Sequence, residues 1–286
     1  MNFPFYIARR YLFSKKKHNA INIISGISVC GVALATLALV CTLSVFNGFQ
    51  DMVASFFTAF DPQLKITVRE GKVFDAQDER IRAVCALPEV EVFTETLEEN
   101  AMVQYKDRQA MVVLKGVEDN FEELTAIDSI LYGAGEFVLH DSIVNYGVMG
   151  VELVATLGTG LEFVDPLQVY LPKRNAKVNM ANPGASFNRD YLYSPGVVFV
   201  VNQQEYDGKY ILTSLDFLRQ LLDYTTEVSA MELKLKSNVN TSSVQSKIEN
   251  ILGDDFVVQN RYQQQADIFR IMEIEKLISY LFLTFI

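Results

Sequence analysis

The 286-residue chain is half hydrophobic, 21% charged, and carries a net charge of −10. Its first 50 residues hold five basic residues (Arg9, Arg10, Lys15, Lys16 and Lys17) and no acid, so the remaining 236 carry −15. Positive charge confined to one short end speaks against nucleic-acid binding, and the acidic remainder reads as a solvated surface. Cys30, Cys41 and Cys85 form no CxxC and have no histidine nearby, which argues against a metal site or a disulfide framework.

FPFYIARRYLF (3–13) mixes aromatic rings with Arg9 and Arg10, as a short interfacial helix or a plain basic flank would. From Asn19 to Gln50 there is no charged residue, and the centre of this run, 21–46, exceeds the roughly 20 residues that cross a bilayer as a helix. It is too long for a signal-peptide core and no Ala-x-Ala follows, so it reads as a retained anchor. All five basic residues precede it, which places the N-terminus in the cytoplasm and the acidic body outside. Gly31 with Ala35, and Ser44 with Gly48, are small pairs four apart that let another helix approach closely.

The body reads as mixed α/β. Strands are expected at 63–70, at 99–107 and 108–117 around a turn at Lys106-Asp107, and at 166–172, 196–203, 208–214, 229–237 and 255–260. Helices are expected at 75–87, 118–127, 141–160, 214–224 with Ser214 as N-cap, and 241–253 with Gly253 as the stop. RYQQQADIFRIMEIEKLI (261–278) reads as a helix running into the uncharged final ten residues, the start of a second crossing. The predicted organisation is an N-terminal arm (1–20), a transmembrane helix (21–48), an extracytoplasmic domain (49–270) and the beginning of a second transmembrane helix (271–286). Residues 173–196 lack periodicity and carry Lys173, Arg174, Lys177 and Arg189; they read as a basic protrusion or a plain loop.

No catalytic constellation stands out. HExxH, GxSxG, GxxxxGK[ST] and GxGxxG are all missing, and the two histidines, His18 and His140, stand apart. Asp141, beside His140, reads as a turn or cap residue, and Glu122-Glu123 and Asp254-Asp255 as solvent-facing pairs.

FYIARRYL (5–12), LSVFNGF (43–49), FDPQLKI (60–66), VMGVELVATLG (148–158), PGVVFVVNQQEYDGKYILTSLDFLRQLL (195–222) and MEIEKLISYLFLTFI (272–286) together resemble, in order, the lipoprotein-releasing ABC transporter permeases of the LolC/LolE type. The "G-D" that usually follows "L-G" in that family is displaced here to Val164-Asp165. The resemblance implies an α+β extracytoplasmic domain, a MacB-like periplasmic core of two mixed α/β subdomains, inserted between two transmembrane helices in a bacterial inner membrane. Members of that family continue with further crossings, so the chain is expected to be a piece of a longer permease. The implied partners are a cytoplasmic ABC ATPase that carries the catalysis, a second permease subunit, a periplasmic lipoprotein carrier, lipoprotein substrates and membrane lipid, with no cofactor and no nucleic acid. By position, 173–194 corresponds to the carrier-binding hairpin of LolC-like members, with Lys173, Arg174, Pro183 and Phe187 as contact candidates; LolE-like members lack it. The expected lever into the membrane is 261–286, with Ile268, Ile271, Glu275 and Lys276 as coupling positions. FtsX-type and MacB-type permeases share this architecture and act on other partners. A membrane-anchored sensor is the remaining alternative, and an extracytoplasmic enzyme is disfavoured by the missing chemistry.

Overall fold

The computed structural model describes residues 3–12, 20–54, 60–174 and 186–264, with positions 274, 277, 280 and 281 helical beyond them. The chain divides into two units, 1–55 with 267–286, and 56–266. The first unit contains α1 (Phe3–Leu12) and α2 (Ala20–Ala54). α2 runs past the expected end at 48, and its apolar stretch Ile23–Val45 is 23 residues with none of it buried. At 1.5 Å per residue that stretch is about 35 Å long, enough to cross a bilayer core. Thr36 and Thr42 donate their hydroxyls to the carbonyls of Val32 and Ala38 at 2.8 and 2.9 Å, so these polar groups are satisfied inside the helix.

The second unit begins with β1 (Leu64–Val68) and the short β2 (Phe74–Asp75), followed by α3 (Glu79–Cys85). The Asp78 carboxylate accepts the Arg80 N–H at 2.8 Å to start α3, and Pro88 lies just beyond its end. β3 (Val90–Tyr105) turns at Lys106, whose φ is +53°, into β4 (Arg108–Val117). Then come α4 (Phe121–Leu124), a 3-10 turn (Ile127–Ile130), β5 (Leu131–Gly133), β6 (Val148–Met149), α5 (Val151–Leu157), β7 (Leu167–Pro172), β8 (Phe187–Leu192), β9 (Val197–Phe199) and α6 (Gln204–Asp207). The chain closes with β10 (Tyr210–Ser214), α7 (Leu215–Leu222), β11 (Glu227–Val228), β12 (Ala230–Leu235), α8 (Thr241–Leu252), β13 (Phe256–Asn260) and α9 (Arg261–Gln264). Ser214 caps α7 as expected, accepting from Phe217 N–H.

Nine strands form the main sheet in the order β13-β1-β12-β3-β4-β10-β6, with β7 on the distal part of β3 and β8 on β7. The run β13-β1-β12-β3 is antiparallel throughout and has the strand order 4-1-3-2 of a split βαβ unit. Everything from the Lys106 turn to Val228 is therefore an insertion between the second and third strands of that frame. β3, at 16 residues, belongs to both halves: Val90–Thr96 pairs with β12, and Thr96–Tyr105 with β4. Two mixed subdomains share one sheet, in agreement with the expected fold class.

Side chains alternate across this sheet. On one face Leu97, Ala101, Val103, Val112 and Leu114 pack with Leu153, Leu157, Phe217 and Leu218 of α5 and α7. On the same face of the frame, Leu64, Ile66, Met231 and Leu233 pack with Ile81, Val84, Val244 and Ile248 of α3 and α8. The opposite face carries Thr94, Thr96, Glu98, Asn100, Met102 and Gln104 of β3. A third apolar cluster, built on Phe60, Val117, Phe121, Leu139, Phe199 and Leu212, covers part of it.

The helix expected over 141–160 exists only at Val151–Leu157. The Asp141 carboxylate accepts the N–H groups of Ile143 and Val144 at 2.6 and 2.8 Å, and makes 141–144 a turn instead. Val148 and Met149 pair with β10, and Gly150 then passes so close to Asp207 that a Cβ there would lie 2.4 Å from the Asp207 carbonyl oxygen. Gly150→Ala is expected to lower stability by about 1–3 kcal/mol through that overpacking, measured by urea unfolding; an unchanged midpoint would show that the contact relaxes freely.

Candidate functional site

On either side of the expected protrusion the described residues form two antiparallel strands, and 175–185 lie outside them. β7 and β8 pair from Leu167 with Leu192 to Pro172 with Phe187, and Lys173 N–H continues the ladder to the Ser186 carbonyl at 2.9 Å. Phe187, read as part of a loop, is therefore a strand residue opposite Pro172; its pairing with β7 overrides a local sequence rich in polar residues. Pro183 lies outside the described residues. Lys173 is exposed at the end of the ladder. Arg174 turns back onto the domain: its Nη1 lies 3.5 Å from Glu227 Oε1, and its guanidinium sits 5.0 Å from the Tyr224 ring. Asn188 donates to the Leu221 carbonyl at 2.6 Å. These contacts tie the end of the β7–β8 ladder to α7, Tyr224 and Glu227.

The strand register extends this hairpin into an open sheet face. One cross-strand row reads Met111, Met102, Tyr170, Arg189, and the next Gln109, Gln104, Gln168, Tyr191. Met111 is 67% exposed, and no helix of the described residues packs over these rows. Methionine, tyrosine and arginine among amides match the composition of protein-docking surfaces. β8 is also an edge strand, paired only with β7 among the described residues.

At the other end of the sheet, the two chain connections of the domain meet. Arg261 Nε donates to the Asp61 carbonyl at 3.0 Å, and Gln264 Nε2 donates to the Pro62 carbonyl at 3.1 Å. The Tyr206 hydroxyl donates to Asp61 Oδ1 at 3.1 Å, and its ring stacks on Phe60 with centroids 5.1 Å apart. Burial, with Asp61 and Tyr210 nearby, raises the Tyr206 phenol well above its ordinary range. Behind this clip a cavity of about 310 Å³ is lined by charged groups, among them Lys65, Glu98 and Lys115.

Lys115 Nζ lies 2.6 Å from Glu232 Oε1 and 3.7 Å from Glu98 Oε1, and Lys65 Nζ lies 3.2 Å from the same Glu98 oxygen. Lys115 and Glu232 are almost fully buried. Burial pushes the Glu98 carboxyl up, but Lys65 and Lys115 outweigh it and hold it below its ordinary 4.5. Burial likewise pulls the Lys65 ammonium down, and Glu98, Glu232 and Asp61 together raise it above 10.5. Sequence reading missed this network because Lys115 and Glu232 each stand at the polar phase of an alternating strand, the pattern of a solvent-facing residue.

The remaining candidates carry no assembled chemistry. His140 Nε2 lies 3.0 Å from Asp119 Oδ1, both exposed, and no group of three or more potential metal ligands occurs among the described residues. Gly31, Ser44 and Gly48 are exposed on α2 and Ala35 is partly so; among the described residues nothing lies within 4 Å of a Cβ placed at Gly31 or Gly48. Ile268, Ile271, Glu275 and Lys276 lie outside the described residues.

An apolar helix long enough to cross a membrane, followed by a split-βαβ frame that carries a large inserted α/β region, is the architecture these residues build. Residues 25–251 match the MacB-like periplasmic core domain, and the chain belongs to that family. It is also similar to the lipoprotein-releasing system transmembrane protein LolC of Xylella fastidiosa, 22% identical over 98% of this chain and 65% of that one. The corresponding LolE protein of Haemophilus influenzae is 22% identical over 98% of this chain and 66% of its own length. The chain thus spans about two thirds of these curated relatives. Among solved structures, the periplasmic region of MacB from Actinobacillus actinomycetemcomitans aligns with 72% of this chain and 91% of its own at 11% identity, with a TM-score of 0.47.

The buried pair gives a direct stability test. Lys115→Met alone strands the Glu232 charge and is expected to cost about 3–5 kcal/mol, whereas Lys115→Met with Glu232→Leu recovers most of that loss. Equal losses in the single and double variants, measured by urea unfolding, would contradict this account of the pair.

Proposed function

We propose that this chain is the permease part of an ABC transporter, with the 56–266 domain outside the inner membrane and the N-terminus in the cytoplasm. ATP hydrolysed by a separate cytoplasmic subunit moves the membrane helices. The domain passes that motion to lipid-anchored proteins, which leave the outer leaflet for a soluble periplasmic carrier. The chain itself supplies no catalytic group in this reading. A second permease subunit and the surrounding lipid complete the assembly.

The observation that carries the proposal is the in-order similarity to lipoprotein-releasing permeases over 98% of this chain, LolC and LolE alike. Two structural features support it. The clip of Asp61 and Pro62 with Arg261 and Gln264 holds together the two connections through which membrane motion would reach the domain. The β7–β8 hairpin and the open Met111-to-Arg189 and Gln109-to-Tyr191 rows supply a surface for the carrier. In this reading the contact candidates Lys173 and Phe187 belong to this surface and Arg174 braces its edge, while Pro183 lies outside the described residues. Membership in the MacB-like family also suits a permease that hands motion to a different periplasmic partner.

Reconstituting the full-length chain with its ATPase and paired permease separates these readings. Replacing 175–185 by a short turn is expected to leave ATP hydrolysis intact, while carrier-dependent release of lipoprotein falls at least about tenfold, the scale of one lost docking hot spot. Release at the unaltered rate would overturn the carrier-docking role. Absence of release by the unaltered complex, with ATP hydrolysis normal, would favour the other partner.

A further inference from the structure

The Lys115–Glu232 contact does not join neighbouring strands. β3 lies between β4 and β12, so the pair reaches over it, across two inter-strand spacings of about 4.8 Å each. In register, Lys115 stands opposite Glu98 and Glu232 opposite Thr94, and the Thr96 hydroxyl between them points to Glu232 Oε1 at 3.5 Å. β12 belongs to the split-βαβ frame and β4 to the insertion. Lys65 on β1 joins the frame side, and Glu98 stands where β3 passes from one half to the other.

We propose that Lys115 and Glu232, with Glu98 and Lys65, form a latch that fixes the twist between the two halves of the sheet, and that the clip at the foot of the domain acts on this latch. The latch rests on the geometry alone; that membrane motion drives the clip rests on the permease reading. A change in twist about β3 alters the Lys115–Glu232 separation directly, and in a water-poor interior such a separation is resisted far more strongly than at the surface. Apolar residues of similar volume would come close to the same stability, so what the ion pair adds here is the selection of one geometry. Glu232 Oε2 is buried and has no hydrogen-bond partner among the described residues, so the present arrangement leaves one acceptor unused, available to a second arrangement.

The route from clip to latch is short. Phe60, adjacent to Asp61, stacks on Tyr206 and lies 5.9 Å from Lys115 Nζ, and the Tyr210 hydroxyl donates to Glu98 Oε2 at 3.5 Å. These groups share the cavity of about 310 Å³, which leaves room for the charged ends to shift and for water to follow. Two discrete positions of one buried pair, biased from the clip, would supply the two-state element that coupling requires.

Spin labels read this directly in the full-length protein within its membrane complex. Asn250→Cys on α8 and Gln220→Cys on α7 report the two halves, after Cys30→Ala, Cys41→Ala and Cys85→Ala remove the native thiols. The unaltered latch is expected to give one narrow distance distribution that shifts when ATP is added. Lys115→Met with Glu232→Leu is expected to fold normally, broaden the distribution at least about twofold and abolish the ATP-dependent shift. A distribution as narrow as that of the unaltered latch overturns the proposal. Should that double variant fail to fold, Glu98→Gln, which removes the charge both lysines share, is read by the same criterion. If the unaltered protein shows no ATP-dependent shift, the permease reading of the drive fails, while the comparison of widths still decides the latch.

Discussion

The domain is organised by one long strand whose two faces differ in polarity. Residues 97, 101, 103 and 105 of β3 are apolar and buried under α5 and α7, while 94, 96, 98, 100, 102 and 104 are mostly polar and face the other way. Because β3 pairs with the frame along its first part and with the insertion along the rest, this one alternation dictates where every helix can pack. Helices α3 and α8 cover the frame part of the apolar face, and α5 and α7 the inserted part. On the opposite face, only the Phe60–Phe121–Phe199 cluster finds enough apolar surface to cover, which leaves the two ends of that face for polar work.

Those two ends are different in kind. At the β7–β8 end, side-chain rows of methionine, tyrosine, glutamine and arginine are exposed at Gln109, Met111, Arg189 and Tyr191 and half-buried between them. At the other end, the polar face closes around buried charges, the chain connections of the domain, and a small cavity. One sheet carries both, with β3 as the continuous element between them. In the proposed reading, a rotation imposed at the clip would reach the β7–β8 end through hydrogen-bonded strands, which hold register more stiffly than a loop would.

Much of this was readable before any coordinates. The β3–β4 turn at Lys106-Asp107, the α7 cap at Ser214 and the α8 stop at Gly253 each rest on local chemistry, and each appears where expected. Local chemistry also misled where tertiary contacts decided the outcome. Val148 to Leu157 has helical spacing, but Val148 and Met149 are drawn into β10 pairing and the helix begins only after Gly150. Phe187 to Leu192 holds Asn, Arg and Asp, weak strand formers, and is a strand because β7 offers it a ladder. The candidate site divides in the same way. The strand Leu167–Pro172 was legible from its alternation between two prolines, whereas its partner Phe187–Leu192 was not. The ion network was not, because the sequence does not say which strand lies between Lys115 and Glu232.

The central claim is that the open face beside the hairpin is the working surface for a soluble carrier. Photo-crosslinking residues placed at Tyr170 and Tyr191, and separately at Gln220 and Asn250 on the helix-covered side, test it in the full-length complex with purified carrier. Adducts with the carrier from the first pair and none from the second are the predicted result. Adducts from the helix side, with the open face silent, would contradict it.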